Sequence, residues 1–497
     1  MTSFEFDKLF IFDLANNHQG DLNHGLSIIR EIGELVKNYD IRPAIKFQFR
    51  QLDTFIHPEF KAREDVKHIP RFISTRLTME DYAALVVEAR KHDLLVACTP
   101  FDEESVDIIK NMDIDIIKIA SCSVTDWPLV NKVVSAGMPV VASTGGVGMS
   151  QIDALVHAMR SAKCDFAIHH CVSIYPTPVA DYNLNQIELL RNRYRDVPIG
   201  WSTHEDPDDA NAIQIAAAKG AVMFERHVGI EAGPHKLNGY SSNPAQLRVW
   251  LDAYANATLA LGSVHRSPPK PEEMEALATL ERGVFARKEI EKGNVIAEDD
   301  VFFAMPYIGG MKAGQWREGL VADQDFSPLS PIQLSGDWGR VLDPIPSIKN
   351  QLIGMLNDAN ITIDSTSKIE LSHHYGLEHF REHGAVIIDV VNREYCKKLI
   401  IQLPRQKHPY HYHKRKEETF QVLWGSMTVE RDGHEFSLSE GSLFLVEPGH
   451  WHKFSTLNGC IFEEISTTHY NDDSIYEDET IANKPREDRK TEISLFS

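Results

Sequence analysis

The sequence predicts an α/β chain that opens with a TIM (β/α)8 barrel and continues into β-rich domains. Three observations carry that prediction. Eight short apolar runs alternate with helix-like segments over residues 1–265, as expected of strands buried on both faces of a parallel sheet. Polar residues gather at the carboxyl end of one run after another, the end at which such barrels place their chemistry. Beyond residue 280 the pattern changes to short alternating runs punctuated by glycine turns, the spacing of all-β structure.

The eight runs are 9–17, 43–50, 94–100, 115–122, 139–146, 165–172, 198–204 and 221–228. Asp13, Asn17 and His18 end the first, Lys46 and Gln48 lie late in the second, and Thr99 ends the third. Lys118 and Ser121 end the fourth, Ser143 and Thr144 the fifth, and Ser173 and Tyr175 follow the sixth. HRSPPKPEEME (265–275) reads as an exposed linker. A small β-rich domain with an EKGN turn follows, closed by a second Pro-rich stretch at 334–350. The domains expected are therefore 1–265, 276–335 and 345–497. The tail from Asn471 is charged and poor in aromatics, and reads as an extended wrap or as disorder.

At 497 residues and 42% apolar content the chain can build several cores, and no segment is apolar enough to cross a bilayer. MTSFEFDKLF lacks the basic and apolar regions of a secretory signal. The six cysteines are scattered without metal-type spacing, which favours reduced thiols and a cytoplasmic protein. A net charge of −21 argues against nucleic acid as a partner but leaves anionic small substrates open, because a local cationic cluster can oppose the global charge.

The segment Pro198–Val228 is the most informative. It reads as strand, helix, strand, with His204 and His227 at matching strand ends, so the two imidazoles should stand side by side as half of a divalent-metal site. Taken singly, each could be an ordinary histidine bonded to a carbonyl. Lys46 and Lys118 sit inside apolar runs, where an unpaired ammonium is costly. With Ser121, Ser143, Thr144, Ser202 and the Ser-Thr-Gly-Gly loop (143–146), they suit a phosphate or a phosphate plus a carboxylate.

These motifs resemble the sialic acid synthase family, enzymes that condense phosphoenolpyruvate with an aldose to make a nonulosonic acid. The resemblance rests on DLANNHQG (13–20), KFQ (46–48), TPFD (99–102), KIAS (118–121), STGG (143–146), HCVSIYPTP (170–178), WSTHE (201–205) and ERH (225–227). It implies that His204 and His227 hold a divalent metal, Mn²⁺ first, with Fe²⁺, Co²⁺ or Zn²⁺ as alternatives. It implies that Lys46, Thr99, Lys118, Ser121, Ser143, Ser173 and Ser202 line the phosphoenolpyruvate pocket, that Tyr175 lies toward the sugar, and that Gln48 is a further substrate-binding residue. Asp13 and Glu225 are candidate acid/base groups, although Glu225 could equally steady Arg226 or a histidine. The small domain resembles the SAF (β-clip, antifreeze-like) domain of that family. Arg282 matches the arginine that one subunit inserts into its partner's barrel, which implies a domain-swapped homodimer.

Three departures concern the acceptor. The first-strand Glu is Asp13, KIAS continues into Cys122-Ser123 where the family has Gly-Glu, and GPHKLNGYSSNP (233–244) lacks an aspartate. Carboxylates that bind sugar hydroxyls are missing, so the acceptor need not be N-acetylmannosamine. A sugar-binding or regulatory protein on a degenerate barrel is the alternative.

The last third resembles a cupin. His411-x-His413, Glu418 and Gly425 match its first motif, and Gly441, Pro448-Gly449 and His452 its second. Alternate strand residues share a face, so His411, His413, Glu418 and His452 would converge on a second divalent metal, Mn, Fe, Ni or Zn. The segment also resembles D-lyxose isomerase-type cupins, in which Lys398, Lys416, Glu463 or Glu464 could assist. The cupin could isomerise a sugar, bind one without turnover, or cap and regulate the synthase.

Overall fold

The structure is a computed structural model that describes residues 4–66, 68–262, 269–335, 344–364, 367–470, 472–485 and 487–495. It forms two compact units, Met1–Ser267 and Pro268–Ser497. No helix among the described residues is long and apolar enough to cross a membrane.

The first unit is a closed barrel of eight parallel strands in sequence order. They are β1 (Leu9–Asp13), β2 (Arg42–Phe49), β3 (Leu95–Pro100), β4 (Ile116–Ile119), β5 (Val140–Ser143), β6 (Phe166–Cys171), β7 (Ile199–Thr203) and β8 (Met223–His227). All eight expected runs are strands, and the runs overshoot the strands where loops carry polar residues. Strand alternation explains how the interior is filled. Leu9, Ile11, Ala44, Ala97, Ile116, Val141, Ala167 and Met223 form an apolar floor. The next inward positions along the same strands are Asp13, Lys46, Thr99, Lys118, Ser143, His169 and Glu225, all buried. The opposite parity, including Phe10, Phe12 and Phe224, packs outward against helices such as Pro244–Leu261, whose Trp250 ring lies 5.7 Å from that of Phe10. Gly200 closes the wall, because a Cβ there would stand 2.3 Å from Met223 and 2.7 Å from His169.

In the second unit, Gly283–Ala286 pairs with Val301–Ala304 and Val295–Ile296 with Leu320–Val321, around a core that includes Val284, Ile290, Ile296, Phe326 and Ile332. The stretch expected as a linker is partly helical. Residues 263–268 lie outside the described set, but Pro271–Ala278 is a helix with proline at its first turn, where a missing N–H does no harm. Residues 336–343 are likewise outside it, and Pro344–Asp358 is a second such helix, packing Ile348, Leu352 and Leu356 against Ile369 and Phe380.

The remainder is an all-β, cupin-like sheet. Its order runs Ser474–Tyr476, His411–His413, His452–Ser455, Glu418–Arg431, Cys460–Thr467, Tyr395–Gln402, Ala385–Asn392, Ile369–Ser372, Lys490–Ile493. The tail is therefore not disordered among the described residues. It supplies both outer strands of the sheet, where charged side chains are tolerated because one face meets solvent.

Candidate active site

The polar tier of the barrel opens into a cavity of about 660 Å³ at the carboxyl ends of the strands. Asp13, Lys46, Gln48, Thr99, Lys118, Ser121, Ser143, Ser173, Tyr175, Ser202, His204, Glu225 and His227 all line it. The barrel residues expected as site residues thus share one space. Arg282 belongs to the second unit, exposed just ahead of the strand Gly283–Ala286.

At the cavity's base is a buried charge network. Lys46 Nζ lies 2.9 Å from Asp13 Oδ2 and 2.5 Å from Glu225 Oε1, and Lys118 Nζ lies 3.7 Å from Glu225 Oε2. Lys118 also donates to Ser143 Oγ at 2.6 Å. The β1–β2 and β1–β8 registers pair Asp13 with both Lys46 and His227, which is why these groups meet. Burial works against the Lys46 ammonium, but Asp13 and Glu225 outweigh it and raise its pKa. For Lys118 burial wins over Glu225 and, aided by Lys46, lowers the pKa. Burial alone would raise Glu225, yet Lys118, Lys46 and His169 hold its carboxyl well below the ordinary range. Glu225 therefore serves the lysines, while Arg226 turns the other way to Glu205 at 3.0 Å.

His204 and His227 stand with ring centroids 5.3 Å apart. His204 Nδ1 donates to the Val172 carbonyl at 2.9 Å, so Nε2 is the nitrogen that remains for a ligand. His227 Nδ1 is buried without a hydrogen-bond partner, 3.5 Å from Asp13 Oδ2, and burial pulls its pKa down to about 4. Burial works against the His204 imidazolium, but Cys171 outweighs it and raises the pKa of that ring; once deprotonated, two imidazoles beside a carboxylate fit a divalent cation. Thr144 does not face the cavity, since its hydroxyl donates to the His169 carbonyl. The Gly145 N–H in the same loop is taken by Ser121 Oγ at 3.0 Å, and a Cβ at Gly145 would stand 2.4 Å from Ser173 Oγ. His18 lies apart from the cavity, its Nδ1 accepting from the Gly20 N–H.

Sequence reasoning missed several lining residues. Tyr240 sits 5.2 Å from the His227 ring and 5.1 Å from the Tyr175 ring, in the segment searched only for an aspartate. Cys171 and Arg50 also line the cavity. Arg50 shares strand parity with Lys46 and Gln48, and Cys171 with Ser173, and that parity was the available signal.

The cupin constellation converges as well. Ligand atoms of His411, His413 and His452 lie within 4.8 Å of one another, all buried. Each Nδ1 is engaged, by the Pro409 carbonyl, the Ser474 hydroxyl and the His450 carbonyl respectively, so each Nε2 is left for a metal. Glu418 reaches His413 Nε2 and His452 Nε2, each at 3.1 Å. Lys416 bonds Glu418 and lies 3.0 Å from Glu464, with Lys398 at 3.8 Å from Glu464. Glu463 instead faces outward to Lys397 at 2.7 Å.

Comparison with known proteins agrees with this geometry. Residues 42–266 match the NeuB family, and 399–459 match the Cupin domain family. A structure from Chromobacterium violaceum, assigned as spore coat polysaccharide biosynthesis protein E, is 43% identical, covering 66% of this chain and 98% of that one, with a TM-score of 0.61. An uncharacterized protein of Methanocaldococcus jannaschii is 30% identical over 58% of this chain and 82% of its own length. The N,N'-diacetyllegionaminic acid synthase of Campylobacter jejuni is 24% identical over 64% of this chain and 96% of its own. With its barrel, its strand-end site and these matches together, the chain belongs to the NeuB family and carries a C-terminal cupin domain.

Proposed function

We propose that the protein condenses phosphoenolpyruvate with an aldose, N-acetylmannosamine or a related hexose derivative, to form a sialic-acid-like 2-keto-3-deoxy sugar acid and phosphate. One observation carries the reading: two buried lysines face two convergent imidazoles across a single cavity.

Lys46 and Lys118, with Ser143, hold the anionic donor, and Thr99, Ser121, Ser173 and Ser202 fix its orientation. Tyr175 lies on the acceptor side, and Gln48 is a further substrate-binding residue. A divalent cation held by His204 and His227, Mn²⁺ first, supplies Lewis acidity toward the acceptor aldehyde. The donor's methylene carbon bonds to the aldehyde carbon, and water adds at C2. The C2–O bond to phosphate then breaks, so one water is consumed for each phosphate released. Glu225, ionised beside the lysines, takes the proton from that water, and Asp13 exchanges a proton with the new hydroxyl.

Arg282 of one subunit reaches the partner's acceptor site in a domain-swapped homodimer, so the full-length protein should sediment at twice the mass of one chain. His411, His413, Glu418 and His452 would hold a second divalent metal, Mn, Fe, Ni or Zn, in a cupin that binds sugar; were it to isomerise that sugar instead, Lys416, bonded to Glu418 and Glu464, is the group placed to move the proton. The test of the synthase reading is aldose-dependent phosphate release from phosphoenolpyruvate with Mn²⁺. Release must fall at least a hundredfold in Lys46→Met; an unchanged rate removes the barrel from the reaction.

A further inference from the structure

Arg50 is a half-buried cation that the condensation as described does not use. It follows β2 at the parity of Lys46 and Gln48, so all three point inward. Four residues at about 3.3 Å each carry it roughly 13 Å beyond Lys46, toward the outer end of the cavity. Its guanidinium is clamped between two rings, with Cζ 3.6 Å from the Phe101 centroid and 4.1 Å from that of Phe72. Its one hydrogen bond among the described residues runs from Nη2 to Gln48 Oε1, at 3.1 Å, and its Nε is buried without a partner. Burial pulls its pKa down to about 10, and no carboxylate is bonded to it. Arg71 lines the same cavity, and among the described residues no carboxylate lies within ion-pair distance of either arginine. The loop after β4 could have supplied a counter-ion, but it carries Cys122 and Ser123.

A clamped guanidinium presents a rigid fork of N–H donors, the geometry that matches a phosphate or a carboxylate. A half-buried guanidinium whose Nε is out of water and unpartnered gains from a ligand that supplies its counter-ion. Lys46 and Lys118 at the base already answer the donor's charges, so the anion at the outer end belongs to the other substrate.

We propose that the acceptor aldose carries an acidic group, a phosphate or a carboxylate, at the end remote from its aldehyde, and that Arg50 and Arg71 bind it. This rests on the condensation reading for the word acceptor; the binding itself is measurable without turnover. The experiment is calorimetric titration of the full-length Mn²⁺ protein with N-acetylmannosamine, its 6-phosphate and the corresponding 6-carboxylate. One acidic sugar should bind at least tenfold more tightly than the neutral one, and which of the two it is identifies the group. Arg71→Gln, at an exposed residue, should cost that sugar fivefold or more and leave the neutral sugar unchanged, while Arg50→Gln should abolish the preference. Phosphoenolpyruvate affinity should be unaltered in both variants. Three results overturn the proposal: no acidic sugar binding more tightly than the neutral one, variants that weaken all sugars alike, or variants that lose phosphoenolpyruvate instead. Absence of aldose-dependent phosphate release with all three sugars would sink the synthase reading by itself, with the binding preference still decided.

Discussion

Replacing Glu225 by glutamine separates two roles that its position gives it. The side chain keeps its shape but loses the charge that lies 2.5 Å from Lys46 and 3.7 Å from Lys118. An anion bonded to the Lys118 ammonium sits roughly 6 Å from that carboxylate. At an effective dielectric of about 20, the repulsion removed is about 3 kcal/mol per unit of anion charge. Partial deprotonation of Lys118, now without its nearest carboxylate, returns roughly half, leaving about 1.5 kcal/mol, or tenfold tighter binding of phosphoenolpyruvate. If Glu225 also takes the proton from the attacking water, kcat falls by about 10²–10⁴. Donor affinity is read by calorimetry without aldose and kcat by phosphate release, with a thermal melt checking the fold. Tighter donor binding with a collapsed kcat is the predicted pair. Weaker donor binding with unchanged kcat would mean that Glu225 only positions Lys46, and the argument would fail.

Three further outcomes follow from the same geometry. Lys118 binds the anion only when charged; its pKa lies below the ordinary 10.5, so donor affinity is full on the acidic side and is lost as pH rises through that lowered value. A pH series of donor dissociation constants that stays flat to pH 10.5 contradicts this. Elemental analysis of the full-length protein should find two divalent ions per chain, one lost in His227→Ala and the other in His413→Ala, and metal at a hundred times its dissociation constant should add about 2.7 kcal/mol of stability; an unchanged metal content in either variant refutes that site. Arg226→Met strands Glu205 in a pair that is 1% and 0% exposed, at a cost of about 3–5 kcal/mol read by denaturant melts, and adding Glu205→Leu should recover most of it.

The barrel was legible because seven of its eight strands repeat one physical pattern, an apolar inward residue followed two positions later by a polar one, and the eighth replaces the apolar residue with Gly200 ahead of Ser202. Ile11 precedes Asp13, Ala44 precedes Lys46, and Ile116 precedes Lys118. Alternation fixes which side chains share the interior, so the site could be read before any contact was known. Arg50 and Cys171 obey the same parity, but Arg50 lies just past the KFQ motif and Cys171, inside HCVSIYPTP, reads as one more buried thiol. Tyr240 was less legible, since it reaches the cavity from an irregular loop after β8 that has no period to read. The tail, read as an extended wrap or as disorder, stayed ambiguous for a different reason. Its charges suit a strand with one wet face, and composition alone cannot distinguish that from a solvated coil. Ser474–Tyr476 earns its place by pairing with His411–His413, a partner more than sixty residues earlier in the chain.

The most direct test is a mass balance. Incubated with phosphoenolpyruvate labelled with ¹⁸O at the bridging oxygen, Mn²⁺ and an aldose pool, the protein should release one phosphate per new sugar acid. That acid should equal the aldose plus a pyruvate unit, and the phosphate should retain the label, because the bond broken is C2–O. Phosphate released without the label, or released at the same rate with no aldose present, would contradict condensation at this site.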